Sequence, residues 1–288
     1  MKSYLNLVKY IFDAGERQSN RTRTDTKAIA GYMFEHDMST WFPLLTTKKM
    51  PFHLISSELE FFIRWGTDKQ WLIDRNNHIW DERCSPDIIP YSHDPLIQEH
   101  MKAERELWPI YGFQWRNFNG TYNSYQEEMI HDGVDQLARV VQTLKTNPSD
   151  RRMIVTAWNP SALHKQALPP CHYGFQVTVI NNKLNLLWNQ RSVDVGLWLP
   201  FNIASYGLLL HLLAKESNLQ EGKLIWFFAD THIYKNHIEA LTEQIMRVPW
   251  VLPTITTPHL TSIFDWQYTD TQLIDYNPQK SIKMSVSV

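Results

Sequence analysis

Residues 168–206 read LPPCHYGFQVTVINNKLNLLWNQRSVDVGLWLPFNIASY, and the architecture turns on this stretch. Phe175 to Ile180 and Leu184 to Trp188 alternate as strands do, and Asn181-Asn182 between them suits a tight hairpin turn. Pro200-Phe201-Asn202 then opens an apolar run to Ala214, which predicts a helix buried on most sides. Polar residues gather at the seams. Cys171 precedes the hairpin, Gln190, Arg191, Ser192 and Asp194 end it, and Asn202 lies at the helix start. A thiol, a guanidinium and an amide delivered this way suit attack on an electrophile bound through an anion.

The chain has 288 residues with 43% hydrophobic content, enough for one sizeable core. No Gly, Ser or Pro linker divides it, so one domain over 1–288 is expected, with a polar surface excursion at about 84–108. The net charge of −2 argues against a nucleic-acid or membrane field, so local arginines must meet any anionic ligand. No apolar run reaches membrane-span length and no signal-peptide core is seen, which makes a cytoplasmic location the default. Cys84 and Cys171 are expected to be reduced. No tight ligand spacing supports a metal.

Tyr4, Leu5, Val8, Ile11 and Phe12 recur at helical spacing up to Gly15. Arg21 follows in a hydroxyl-rich loop that could wrap a phosphate, although an ordinary solvated turn explains it equally. Residues 41–47 read as a short strand, and His53 to Trp65 as a helix. Glu58 and Glu60 sit inside that helix's apolar pattern. Such a carboxylate usually lies at an exposed edge, and the sharper reading is a general acid or base with a raised pKa. Trp108 to Arg116 is dense in aromatics, with Tyr111 and Gln114 carrying polar tips. Ser124 to Leu144 has helical periodicity. Arg151 and Arg152 precede a short strand, where they either grip a phosphate or lie on the surface. Leu224 to Phe228 feeds a segment in which His232 and Tyr234 share one face if extended, placed to hold a sugar hydroxyl. Lys235 to Met246 reads as a further helix.

His172 is a poor base for Cys171, because adjacent side chains on an extended segment diverge. Arg191, one hairpin away, is the better activator, since positive charge favours a thiolate. Asn202 can both donate to and accept from an amide edge.

LPPCHYGFQ, NQRSVDVGLWLPFNIASY and ADTHIYKNHIEAL resemble, in order and spacing, the nucleotide-site motifs of the thymidylate synthase family. PLLTTKK, Glu58, HIWDE, PIYGFQWR and SDRRMIVTAWNP extend the resemblance from about Arg21 to the C-terminus. It implies an α/β (α+β) three-layer fold whose large mixed sheet packs at a homodimer interface. It further implies dUMP as nucleotide and 5,10-methylenetetrahydrofolate as one-carbon donor, with no metal. By the same resemblance Cys171 adds to C6 of the uracil. Arg21, Gln190, Arg191 and Ser192 serve the nucleotide, with Arg151 and Arg152 reaching in from the partner subunit. Asn202 reads the uracil, and His232 and Tyr234 the ribose. Glu58 orders water and moves protons, and Tyr111 helps remove the C5 proton. Asp194 binds the pterin, Trp80 walls it, and Val288 helps close the site.

The folate half departs from the family pattern. Arg83 replaces a tryptophan, Trp198 and Trp108 replace glycines, and the tail 284–288 differs. Gly196 is expected to offset some of the volume of Trp198. A thiolate adduct makes C5 of uracil an enolate that attacks the folate, leaving an exocyclic methylene. Hydride from tetrahydrofolate then gives dTMP, and water gives 5-hydroxymethyl-dUMP. A polar Arg83 and a displaced folate favour water, so hydroxymethylation is the expected branch, with thymidylate synthesis as the alternative. A non-catalytic nucleotide-binding or RNA-binding homologue is disfavoured, because Cys171 and the arginines are retained.

Overall fold

The computed structural model describes residues 1–20, 24–89, 92 and 94–286. The hairpin forms as its alternation predicts, from β4 (His172–Ile180, the fourth strand along the chain) and β5 (Lys183–Asp194). Asn181 and Asn182 have φ of 50° and 61°. Two successive left-handed residues are what a type I′ turn demands, and asparagine tolerates them better than most residues. The apolar run becomes α7 (Leu199–Glu216, the longest helix), which returns along the sheet. It delivers β6 (Gln220–Tyr234) parallel to β5, a strand–helix–strand crossover.

The earlier strands are β1 (Glu16–Gln18), β2 (Thr26–Asp37) and β3 (Ile154–Thr156). Among the described residues the six strands make one mixed sheet in the order β1-β2-β6-β5-β4-β3. The other helices are α1 (Lys2–Ala14), α2 (Phe52–Ile63), α3 (Gln70–Ile73), α4 (Pro95–Ala103), α5 (Tyr111–Arg116), α6 (Gln136–Thr146) and α8 (Ile238–Met246). A small hairpin of β7 (Thr254–Thr256) and β8 (Gln272–Ile274) stands apart. No helix among the described residues is long and apolar enough to cross a membrane.

One face of the sheet carries the core. Trp188 of β5 stacks on Tyr206 of α7 at 4.5 Å and on Trp226 of β6 at 5.2 Å. Leu208, Leu209, Leu210, Leu212 and Leu213 of α7 are all fully buried, which is why that helix reads as apolar on every side. Among the described residues nothing covers the opposite face, where exposed apolar side chains (Met33 60%, Ile180 62%, Phe227 39%) stand beside the Lys223–Glu35 ion pair.

Four expectations need correction. Residues 41–47 form no strand: they run as a buried irregular segment held by Phe42 N–H to Pro253 O (2.8 Å) and Trp250 N–H to Thr46 Oγ1 (2.9 Å). Its neighbour offers single bonds and a hydroxyl in place of a ladder. The helical periodicity of 124–144 is realised only from Gln136 onward. Upstream, Val134 pairs across to Phe118, Asn117 Nδ2 donates to Ile130 O, and Asp135 caps α6 by accepting from Ala138 N–H at 2.9 Å. The excursion at 84–108 is not wholly superficial, because Cys84, Met101, Glu106 and Leu107 are buried. Lys69, itself fully buried, donates from Nζ to the carbonyls of Asp81 (2.9 Å), Arg83 (3.2 Å) and Met101 (2.5 Å). Lastly, Gly196 does not make room for Trp198, whose ring packs on Phe201. A Cβ at Gly196 would stand 2.8 Å from His237 Nδ1 and 3.2 Å from Met284 Sδ.

Trp108 has a φ of +64°, the left-handed region that costs an L-residue about 1–2 kcal/mol. The backbone at this position keeps a shape that suits glycine although a tryptophan occupies it.

Candidate active site

A cavity of about 280 Å³ opens where β5 and β6 end and β2 and β4 begin. Cys171, immediately before β4, lies on its wall. Its backbone N–H donates to the Tyr111 hydroxyl at 2.8 Å, and its carbonyl accepts from Arg191 N–H at 2.9 Å. The Arg191 guanidinium is braced by Pro170 O on Nε (2.9 Å) and Pro169 O on Nη2 (2.8 Å), which leaves Nη2 3.7 Å from the Cys171 sulfur. The Leu-Pro-Pro-Cys sequence therefore supplies both the thiol and the carbonyls that hold its cation. A fixed positive charge beside sulfur favours the anionic nucleophile. Cys84 and Cys171 are both free thiols.

His172 turns away, as expected for a neighbour on an extended segment. Its Nδ1 is 3.0 Å from the Tyr206 hydroxyl and its ring stacks on Tyr111 at 4.3 Å. Burial pushes its pKa down to about 3, so it stays neutral. Burial raises Tyr111 well above the ordinary phenol value, and the Cys171 charge adds to this. Tyr111 therefore stays a protonated phenol.

Across the cavity, α2 places Glu58 so that Oε1 accepts from Trp80 Nε1 at 2.8 Å. Burial pushes the Glu58 pKa up to about 7, against the stabilising indole bond. It is thus poised to gain or lose a proton near neutrality, which is what proton-transfer chemistry requires. Arg83 and Trp198 also line the cavity.

On the floor, Asn202 Nδ2 donates to Gln190 Oε1 at 3.3 Å, and Gln190 Oε1 also accepts from Trp188 Nε1 at 3.2 Å. Gln190 is 2% exposed and acts by orienting the amide. One Asn202 hydrogen is thus spent internally, while the other and the carbonyl oxygen remain for a ligand. At the rim, His232 Nδ1 bonds Asp230 Oδ1 at 2.7 Å, and Tyr234 stands two residues further along the same strand. Asp194 is 8% exposed, and its Oδ1 accepts from Gly196 N–H (3.0 Å) and Leu197 N–H (3.1 Å).

The cavity wall therefore brings together Glu58, Trp80, Arg83, Tyr111, Cys171, Gln190, Arg191, Ser192, Asp194, Trp198, Asn202, His232 and Tyr234. Arg151 and Arg152 are not on it. They lie exposed before β3 at the far sheet edge, where Arg152 pairs with Asp150 at 2.6 Å. Arg21 and Val288 lie outside the described residues. Gln18, Thr26 and Asp230 also line the cavity and were not among the expected site residues. Asp230 was within reach, because its spacing of two from His232 puts both on one strand face.

The family model described as thymidylate synthase matches residues 2–288. The chain is 42% identical over 302 residues to a thymidylate synthase of Francisella tularensis subsp. holarctica, covering all of both chains. It is 41% identical over 285 residues to a bifunctional dihydrofolate reductase-thymidylate synthase of Paramecium tetraurelia, covering 99% of this chain and 61% of that one. A one-carbon transferase architecture is thereby defined. The chain belongs to the thymidylate synthase family.

Proposed function

We propose that this protein transfers one carbon from 5,10-methylenetetrahydrofolate to C5 of dUMP and releases dTMP and dihydrofolate. The observation that carries the reading is that the Cys171–Arg191 pair and the Gln190-oriented amide of Asn202 line one cavity. The sulfur adds to C6 of the uracil. Asn202 donates to O4 as the enolate develops, and preorganised donors of this kind are worth several kcal/mol. An amide at this point selects uracil over cytosine, because it can donate to O4 and accept from N3–H. Glu58, titrating near 7, shuttles protons through water, and Tyr111 assists removal of the C5 proton. Ser192 and Arg191 hold the phosphate with Arg21, and His232 and Tyr234 hold the ribose. Asp194 and Trp80 receive the pterin, and Val288 closes over it. No metal takes part.

The exposed β-sheet face supports a homodimer, in which Arg151 and Arg152 of one chain complete the phosphate site of the other. Two free thiols suit the cytoplasm.

Hydroxymethylation, the branch the substitutions favoured, is the second reading. Arg83 and Trp198 both line the cavity, which keeps it in view. Full-length relatives named thymidylate synthase at about 42% identity favour the methyl product. Incubation with dUMP and methylenetetrahydrofolate decides. Dihydrofolate absorbance with a nucleotide of dTMP mass supports our reading. A nucleotide one oxygen heavier, without dihydrofolate, transfers the protein to the second.

A further inference from the structure

His237, three residues past β6, is a fully buried polar side chain. Its Nε2 is 2.7 Å from Ser285 O in the C-terminal segment. A carbonyl can only accept, so Nε2 carries the proton. Its Nδ1 lies 3.5 Å from Asp194 Oδ1 and has no hydrogen-bond partner. A shift of roughly half an ångström would bring the pair into the normal hydrogen-bond range. The same Nδ1 is the atom that a side chain at residue 196 would strike, with Met284 Sδ beside it. Gly196 is thus the gap through which the tail, His237 and the turn after β5 come together. The turn is held from other sides too. Lys48 Nζ, 5% exposed, donates to Gly196 O at 2.8 Å, and the Tyr4 hydroxyl donates to Val195 O at 3.0 Å.

We propose that His237 is a positioning residue for the folate half of the pocket: it ties the Asp194 carboxylate to the C-terminal segment at Ser285, so that the two are ordered together. The proposal rests on Asp194 serving the folate, as above.

The electrostatics fit a charged imidazole. A neutral ring with Nε2–H given to Ser285 would aim a bare lone pair at a carboxylate oxygen. A protonated ring donates to Ser285 O and turns a positively charged N–H toward the carboxylate. Burial works against that charge, but Asp194 and the Ser285 carbonyl outweigh it and hold the pKa above the ordinary imidazole value, despite Lys48. Lys48 is itself pushed down to about 8 by burial, against the pull of Asp194. The groups facing the ring are therefore Asp194 at the end of β5, Lys48 from the segment after β2, the Tyr234 ring at 5.7 Å, and the uncharged Met284 and Ser285.

The test compares His237→Leu, His237→Gln and Asp194→Asn in the full chain. The first readout needs no substrate: the rate at which carboxypeptidase trims the tail of the free protein. His237→Leu should raise it severalfold, and His237→Gln, which keeps a donor for Ser285 O, should stay within about twofold of the parent. Asp194→Asn keeps an acceptor for both backbone N–H groups but removes the charge behind the imidazole, and should also raise trimming. The second readout is steady state. His237→Leu should raise KM for methylenetetrahydrofolate tenfold or more while KM for dUMP moves less than twofold. His237→Gln should recover tail protection but not the folate KM. Unchanged trimming in Asp194→Asn, or equal rises in both KM values, overturns the proposal. Should His237→Leu fail to fold, the other two variants decide it. An absence of any one-carbon transfer would sink the proposed function and leave the trimming comparison readable.

Discussion

Arg191 spends two of its nitrogens on the carbonyls of Pro169 and Pro170 before a third contact reaches the Cys171 sulfur. That bracing needs a planar fork, so Arg191→Lys should lose most activity although the charge is kept. Cys171→Ser should lower turnover by roughly a thousandfold or more while dUMP still binds, read by nucleotide mass and by equilibrium dialysis. Glu58 makes a signed prediction. Its folded-state pKa, about 7, lies above the ordinary 4.5. The group therefore stabilises the fold most when protonated, and that contribution is lost as pH rises from about 4.5 through about 7. Glu58→Gln should melt higher than the parent at pH 8, and its residual rate should lack the inflection near pH 7. That Cys171, Arg191 and Asn202 meet at one cavity was legible, because they are polar islands between apolar runs. What was not legible is contact between distant residues. The neighbours of Gly196 come from positions 237 and 284, and no local pattern announces them.

Secondary elements were readable wherever one period persisted. The β4–β5 hairpin and α7 form where alternation and a continuous apolar run place them. The segment before α6 deceived because Met129, Ile130 and Val134 fall at helical spacing by chance, and Ile130 is 45% exposed. Asp135 ends that ambiguity. It caps α6 and also accepts from Arg116 Nε at 3.0 and 2.9 Å. Asp135→Ala should cost roughly 2–4 kcal/mol, about one for the cap and the rest for the charged bond, measured by urea unfolding. Trp108 presents a contest of similar size. Replacement by glycine would relieve the left-handed penalty of about 1–2 kcal/mol and give up a comparable amount of burial. The net change should stay within about 1 kcal/mol, whereas Trp188→Ala, at a fully buried position, should cost about 3–5 kcal/mol in the same experiment.

Among the described residues one sheet face has no cover, and Met33, Ile180 and Phe227 are the residues that show it. Larger exposed apolar patches mark association surfaces. Met33→Glu combined with Phe227→Glu should shift the protein to monomer in sedimentation and remove activity. A sharper test mixes two inactive chains, one carrying Cys171→Ser and the other Arg151→Ala with Arg152→Ala. Random exchange in a twofold dimer should restore about a quarter of parental activity. No return of activity would mean that each chain builds its phosphate site alone. Lys69 gives the same architecture a built-in clock. Its amine is wholly out of water and clasped by three carbonyls, one of them that of Arg83. An acylating reagent can modify it only while these carbonyls let go, so the labelling rate of this one lysine, followed by mass spectrometry, times how often the segment that carries Arg83 comes apart.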